Sequence, residues 1–558
     1  MMNRRAFYTG GRPLIKFFGG AASFTGDTAS FNITSTFKIR CIMYLYSLKY
    51  PVMISLRQIV LFIIFMIAVG SVPAQRIVYS EPDKDDSRRM NFEVVGKMGN
   101  NFLIYKNNRS DNYICVYDNN MKLIEKTKHE YLPDERLINV DFYPYNDFVY
   151  MIFQYQKRNI VHCTAVKLDE RGRKISDPIE LDTSQIGFSA NNKIYTTLTS
   201  DDKKRIIVFK INSKNREKFL ITTKLYNENL ELLKNSQLVM PMQERNDYLG
   251  EFALDNDGNL VFSKYFRNGN ENITGAYFVA KQAMEDSFRF YKINLDKIYL
   301  DEIRLKVDNG NNRYYLNAFY YKQKKGNIDG LYFMTWDKNS ASAILENAVS
   351  FSEDLRSEAR GEANIKMAFN DYFIRNVIPK KDGGFIISAE AYYTTSRYNS
   401  WNRWDYIYGS SFLTPLDYYY YSPYYSSWWW RRNSSNQSVR YHADNVIILS
   451  FDNEGRMEWS NVIRKGQFDD DSDDLISFQL MNTGGQLHFL FNQMEKRNLL
   501  LNDFSLSPEG QISRNPTLKN LDKGFEFMPK YGKQVGAKIL IVPCIYRNYI
   551  CFAKIDFN

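Results

Sequence analysis

The stretch Asn445–Arg464, NVIILSFDNEGRMEWSNVIR, restricts the fold more than any other part of the chain. An apolar segment, Val446–Phe451, runs into Asp452-Asn453-Glu454-Gly455, and a second segment, Met457–Ile463, leaves it. Asp and Asn close such turns with their own side chains, and Gly takes the positive φ that other residues resist. The stretch therefore reads as a β-hairpin. Looser copies recur at Tyr113–Lys126 (YICVYDNNMKLIEK), Val166–Pro178 (VKLDERGRKISDP), Thr223–Gln237 (TKLYNENLELLKNSQ), Phe290–Glu302 (FYKINLDKIYLDE), Met334–Ala348 (MTWDKNSASAILENA) and Phe504–Pro516 (FSLSPEGQISRNP). Cys551–Asn558, CFAKIDFN, stops where its turn would begin.

With turns starting at 118, 169, 227, 296, 337, 452, 507 and 556, the spacings are 51, 58, 69, 41, 115, 55 and 49 residues. Repeats of roughly 40–60 residues with four short strands each are the pattern of propeller blades. Three strands lead to each turn and a fourth leaves it, as at Leu137–Phe142, Phe148–Gln154 and Val161–Leu168. The last unit has no fourth strand, while Arg76–Ser80, RIVYS, stands alone near the other end. Pairing the two completes a blade and removes exposed sheet edges. The sequence thus predicts an all-β chain: a β-propeller of about eight four-stranded blades closed by the mature N-terminal strand. Seven blades is the alternative, because the fourth and fifth units are irregular. The 41 Tyr and 39 Phe fit this reading, since flat side chains suit a pleated surface.

The first 74 residues read as addressing. Met53–Arg57 forms a short positive region, Ile59–Val69 is uninterruptedly apolar, and Val72-Pro73-Ala74 offers the small residues of a cleavage site. The apolar run is shorter than the roughly 20 residues a membrane span needs. The organisation expected is an upstream extension at 1–52, a signal peptide at 53–74 and a single propeller domain at 75–558. The alternative is a cytoplasmic tail with an uncleaved anchor. The leader holds eight Lys/Arg and one acidic residue, so +7 of the net +10 belongs to it and about +3 to the rest. Bulk charge gives no support to a nucleic-acid partner.

Cys115, Cys163, Cys544 and Cys551 follow the leader. A two-residue turn at Arg547-Asn548 would place Cys544 and Cys551 on facing strands; a disulfide and two free buried thiols are both open. None of the four His stands at zinc-ligand spacing with a Cys, so neither a metal site nor a cofactor is expected. Asp469–Asp474 is acidic but lacks the spaced pattern of a calcium loop. Lys380–Gly384 reads as a hairpin turn rather than a phosphate loop. No G-x-S-x-G or H-E-x-x-H motif occurs, and no catalytic residue is assigned.

The long spacing holds an insertion, 394–444. From Tyr392 to Trp430, 17 of 39 residues are aromatic, including five of the seven Trp. Aromatic faces stack on sugars or partner side chains, and loops on rigid scaffolds carry binding residues. The ligand-binding candidates are Trp401, Trp404, Tyr419, Tyr421, Tyr424, Trp428, Trp429, Trp430 and Arg431. Two other readings stay open: rings at the headgroup level of a membrane, giving peripheral membrane contact, and a loop folded over the propeller itself.

The Ala74-Gln75 cleavage site together with turns such as FDNEGRMEW (Phe451–Trp459) resembles secreted β-propeller-like proteins of Bacteroidota cell envelopes. The resemblance covers Arg76–Asn558. It implies an exported protein, periplasmic or associated with the outer membrane or cell surface, and it carries over no site residues. The function expected is a secreted envelope binding or scaffolding module whose aromatic loop contacts a glycan or protein partner. The alternatives are a carbohydrate-active propeller enzyme with carboxylates in the central channel and a purely structural envelope protein.

Overall fold

The structure, a computed structural model, describes residues 76–557 except 84–85, 87–89, 109–110, 134–135, 188, 191–192, 216, 243–245, 362–363, 397–400, 409–438, 471, 496–497, 517 and 519–523. In blade one, Asn91–Met98, Asn101–Asn108, Asp111–Tyr117 and Leu123–Lys128 pair antiparallel in chain order, innermost first. Blades two, three, six and seven repeat this order, starting at Leu137, Tyr195, Tyr372 and Phe478. Blades four and five start at Asp247 and Arg304 and are joined into one nine-stranded sheet. The two-residue strand Tyr299–Leu300 bridges them, pairing with Ile273 on one side and Tyr320 and Tyr321 on the other. Blade eight takes Phe525–Phe527 and Lys533–Gly536 at its inner edge, then Ile539–Tyr546 and Tyr549–Asp556. Its outer strand is Arg76–Tyr79, in register from Arg76↔Asp556 to Tyr79↔Ala553. The propeller has eight blades, and the N-terminal strand closes it.

Burial follows from the period of two. Successive side chains of a strand point to opposite faces, and here both faces meet a neighbouring blade. In Asn101–Asn108, Phe102 and Ile104 pack on blade eight, while Leu103 and Tyr105 pack on blade two. The eight apolar clusters map one to each blade interface. Burying one large apolar side chain contributes about 1.5–3 kcal/mol, so the ring is held together blade to blade.

Asp118, Asp169, Asn227 and Asp452 each accept through Oδ1 from the backbone N–H groups two and four residues on, at 2.8–3.0 Å. Each such turn places its fourth residue at positive φ: Met121, Gly172, Leu230 and Gly455. One expected turn is misplaced. The fourth unit turns after the strand Ile273–Lys281, at Gln282, and not at Asp296. Asn227 to Gln282 and Gln282 to Asp337 are then both 55 residues. The segment 282–288 carries no D-x-x-G pattern, whereas Leu295–Ile298 closes a turn of its own and imitates the repeat.

Gly510 shows why some of these turns need glycine. Its φ is +84°, and a Cβ there would lie 2.6 Å from the Trp459 ring of the preceding blade. Gly484 has φ +89° but open space around it. Gly484→Ala should cost only the backbone term, about 1–2 kcal/mol, and Gly510→Ala clearly more. Urea unfolding of the two variants checks this, and equal losses would mean that the Trp459 contact is irrelevant.

Two further expectations meet the structure. The flanking strands run into the insertion, pairing Thr394↔Tyr441, Thr395↔Arg440 and Ser396↔Val439, so the break in the sheet is 397–438 rather than 394–444. Continuing a ladder satisfies backbone groups that a loop would leave to solvent. Cys544 and Cys551 face each other in register, buried, as free thiols. Burial pushes the Cys551 thiol up to about 12. Among the described residues no helix is long and apolar enough to cross a membrane.

Candidate binding site at the root of the insertion

In every blade the first strand starts from the same face, so that face carries the loops between blades and those joining second to third strands. The insertion, Asp469–Asp474 and the helix α1 (Glu353–Ala359) all fall on this upper face. α1 is capped by Ser352, whose Oγ accepts from Leu355 N at 3.2 Å. A second helix, α2 (Arg403–Tyr408), starts the insertion, with Asn402 Oδ1 accepting from Trp404 N at 3.0 Å.

α2 is pinned by buried polar contacts. The Arg403 guanidinium donates to Asp301 at 2.7 Å and to the carbonyls of Asn370 and Tyr372 at 3.0 and 2.6 Å, and it lies over the Phe373 ring. Tyr408 donates to the Asp301 carbonyl at 2.7 Å, and the Arg267 guanidinium sits 3.8 Å from the Tyr248 ring and 4.0 Å from the Tyr408 ring. Charge-assisted bonds of this kind are about twice as strong as neutral ones.

Of the aromatic candidates, Trp401 and Trp404 fall on described residues, and both are half-buried anchors. Trp401 donates its Nε1–H to Asp371 at 2.9 Å, and Trp404 stacks on Tyr408 and tilts against Tyr321. Tyr419, Tyr421, Tyr424, Trp428, Trp429, Trp430 and Arg431 lie outside the described residues.

Beside this anchor a cavity of about 500 Å³ opens between α1 and blade six. Two register shifts shape it, at Ala391 and at Asn445, on the strands that flank the insertion. A bulge bends its strand and re-aims the neighbouring side chains. Here Tyr393, His442 and Asp444 are brought to one wall, with Asp371 and Lys465 on the others. Tyr393 and His442 stack at 4.4 Å with an interplanar angle of 6°. The Tyr393 hydroxyl donates to Asp444 at 3.1 Å, and His442 Nε2 is 3.1 Å from the Thr395 hydroxyl. At the rim Phe468 is 62% exposed, with Arg440 over its ring.

Burial sets the electrostatics. It raises the Asp371 carboxyl above its ordinary value, and the nearby Asp444 charge adds to the rise. Burial likewise raises Asp444, against the Tyr393 hydroxyl and Lys465, and lowers His442. Each shift favours the uncharged form. Beneath the wall, Lys465 and Glu390 pair at 2.8 Å with no side-chain exposure. The cavity therefore offers hydroxyl, imidazole and carboxyl hydrogen-bonding groups next to exposed aromatic surface.

Carboxylates also line the central channel, where a cavity of about 450 Å³ is bounded by Glu251, Arg304, Lys306 and Arg375. Glu251 and Glu302 are both paired with Arg304, at 3.2 and 3.1 Å. Burial pushes Glu93 up to about 7, with Lys533 Nζ at 3.9 Å. The acidic run is engaged locally: Asp470 with Arg440, Asp473 with Lys530 and Asp474 with the Tyr531 hydroxyl.

No protein-family model matches the chain, and no curated protein matches it by sequence. Solved structures do. The polysaccharide lyase Uly1 is 9% identical with a TM-score of 0.35, over 75% of this chain and 90% of the lyase. Prolyl oligopeptidase B from Galerina marginata is 10% identical with a TM-score of 0.38, over 83% of this chain and 56% of the peptidase. The β-propeller domain of Nup133 from Vanderwaltozyma polyspora is 11% identical with a TM-score of 0.34, over 75% of this chain and 100% of the domain. These likenesses concern the arrangement of strands and no side chain.

Sequence reading put its ligand-binding candidates on the rings of the insertion, whereas the cavity lies at the insertion's root. Asp371, Tyr393, His442 and Asp444 escaped it because no local motif joins them: they converge through two bulges and a loop from the previous blade. The scarcity of His, four in the chain, was the one signal that could have drawn attention to His442.

Proposed function

We propose that the chain is an exported cell-envelope binding module that takes a glycan at the root of its aromatic insertion. The observation that carries this reading is the cavity framed by the paired bulges. Planar carboxyl, imidazole and phenol groups set side by side match vicinal hydroxyls, and exposed rings match the apolar face of a sugar. Export and envelope location are supported by the leader pattern at 53–74 and by the resemblance to secreted Bacteroidota proteins. In sequence, 409–438 adds further rings and Arg431 and Arg432 between Tyr393 and His442.

Protein produced from Gln75 should bind purified envelope glycans. Asp371→Asn and Tyr393→Ala should each weaken binding at least about tenfold, equivalent to ~1.4 kcal/mol. Replacing 409–438 by a Gly-Ser linker, which leaves α2 in place, should lower it further, with melting temperatures unchanged. Glycan binding that survives all three changes would rule the reading out.

A further inference from the structure

We infer that the opposite, lower face carries a second ligand site, in the groove between blades four and five, and that it takes a neutral saccharide. Turns within blades, between first and second and between third and fourth strands, lie on that face. The inference does not rest on the reading of the upper cavity.

The groove lies between the outer strand of blade four, Arg289–Lys292, which pairs with Tyr277–Ala280 at their lower end, and the turn that follows the third strand of blade five, Gly330–Asp337. It encloses a cavity of about 570 Å³. This falls within the roughly 300–1,000 Å³ of ligand sites. Phe290, Tyr291 and Trp336 form its apolar side, and Phe290 is 44% exposed. Trp336 lies 5.2 Å from Tyr291, edge to face, and 5.1 Å from Phe278. Tyr291 is fixed from behind by its hydroxyl bond to Glu346 at 3.0 Å, whose other oxygen accepts from Tyr332 at 2.7 Å. The rings are thus held in place before any ligand arrives, which lowers the entropy cost of binding.

Asp257, Lys338 and Asn339 form the polar side. Lys338 Nζ bridges Asp255 at 2.8 Å and Asp257 at 2.7 Å, and Asp255 is fully buried, accepting also from Tyr314 at 2.6 Å. The Asp257 side chain is 69% exposed. This arrangement selects the ligand class. Lys338 is shared by two carboxylates and Arg289 pairs with Glu285 at 2.7 Å, so each cation lining the groove already has an anionic partner, which disfavours a phosphate or sulfate. An uncharged pyranose ring finds a stacking face and, opposite it, carboxylate and amide groups for adjacent hydroxyls.

The test uses the chain from Gln75 and four probes: cellohexaose, xylohexaose, mannohexaose and chitohexaose. Calorimetry on the Asp371→Asn protein should find at least one hexaose bound, and adding Phe290→Ala and Asp257→Asn should weaken it at least tenfold with an unchanged melting temperature. Both added substitutions are on exposed side chains. Trp336→Phe should remove the ligand-induced change in tryptophan fluorescence while the melting temperature and calorimetric binding of the hexaose persist, a combination that loss of fold cannot give. If none of the four hexaoses binds the Asp371→Asn protein, or if the added substitutions leave the affinity as it was, the second site is refuted. Since Asp371 belongs only to the upper cavity, that failure is separable from failure of the upper-face reading.

Discussion

A chain that starts at Asn91 instead of Gln75 should melt roughly 5–10 °C lower and associate with itself. Two losses add up in this variant. Arg76–Tyr79 is the outer strand of blade eight, its ladder extended by Ser80 N to the Phe552 carbonyl at 2.8 Å and by Phe552 N to the Ser80 hydroxyl at 3.0 Å. Tyr79 stacks on Phe525 at 4.4 Å. The truncation also removes Asp86, the ion-pair partner of Lys106, and both are almost fully buried. A buried charge that loses its partner costs about 3–5 kcal/mol, which is roughly 2 °C per kcal/mol in a chain of this length. The bared edge of Tyr549–Asp556 is then a template for a second copy. Differential scanning calorimetry and gel filtration read both effects. A synthetic peptide of residues 75–90 should restore the monomer and part of the melting temperature, and Lys106→Met in the short chain should recover part of the stability. A short chain that stays monomeric and melts within a degree of the long one would mean that the ring does not depend on this strand.

The ring was legible because its signals are local. Asp118, Asp169, Asn227 and Asp452 bond to backbone within four residues, so the turn shows in a window of five letters. The fourth unit was misread for the same reason: its true turn at Gln282 has no such letter, and a nearby segment does. That irregular unit also forms one side of the groove between blades four and five. The candidate sites were not legible, because their contacts span the chain. Arg403 meets Asp301, 102 residues away, and Ser477 meets Glu390, 87 residues away. Trp401 and Trp404 are seated on the propeller by partners that no pattern near them announces.

Removing the Glu390 charge should be the most damaging single substitution in blade six. Glu390 has no exposure and gathers Lys465 at 2.8 Å, Arg375 Nε at 3.1 Å and the Ser477 hydroxyl at 2.6 Å. Lys465 donates in addition to the Ala443 carbonyl at 2.8 Å and to Gln467 at 2.6 Å. Glu390→Leu leaves the Lys465 ammonium buried without an anion, and the expected loss is about 3–5 kcal/mol in urea unfolding. Lys465→Met should cost less, because Arg375 and Ser477 still answer the carboxylate. The double variant should lose less than the sum of the two, with a coupling of about 1–3 kcal/mol. Acid supplies an independent check. Burial pushes the Glu390 carboxyl up, but the charges of Lys465 and Arg375 outweigh it and hold the group below its ordinary 4.5. A lowered carboxyl contributes stability that is fully present above the unfolded value and is lost as pH falls through the folded one. The wild-type protein should therefore lose this contribution below about pH 4.5, while the double variant should show a shallower acid limb. Additive losses and parallel acid limbs would show the pair to be passive. Since Lys465 also lines the cavity at the root of the insertion, the Lys465→Met protein should weaken glycan binding by more than its loss of stability explains, which ties the strength of this buried pair to the shape of the proposed site.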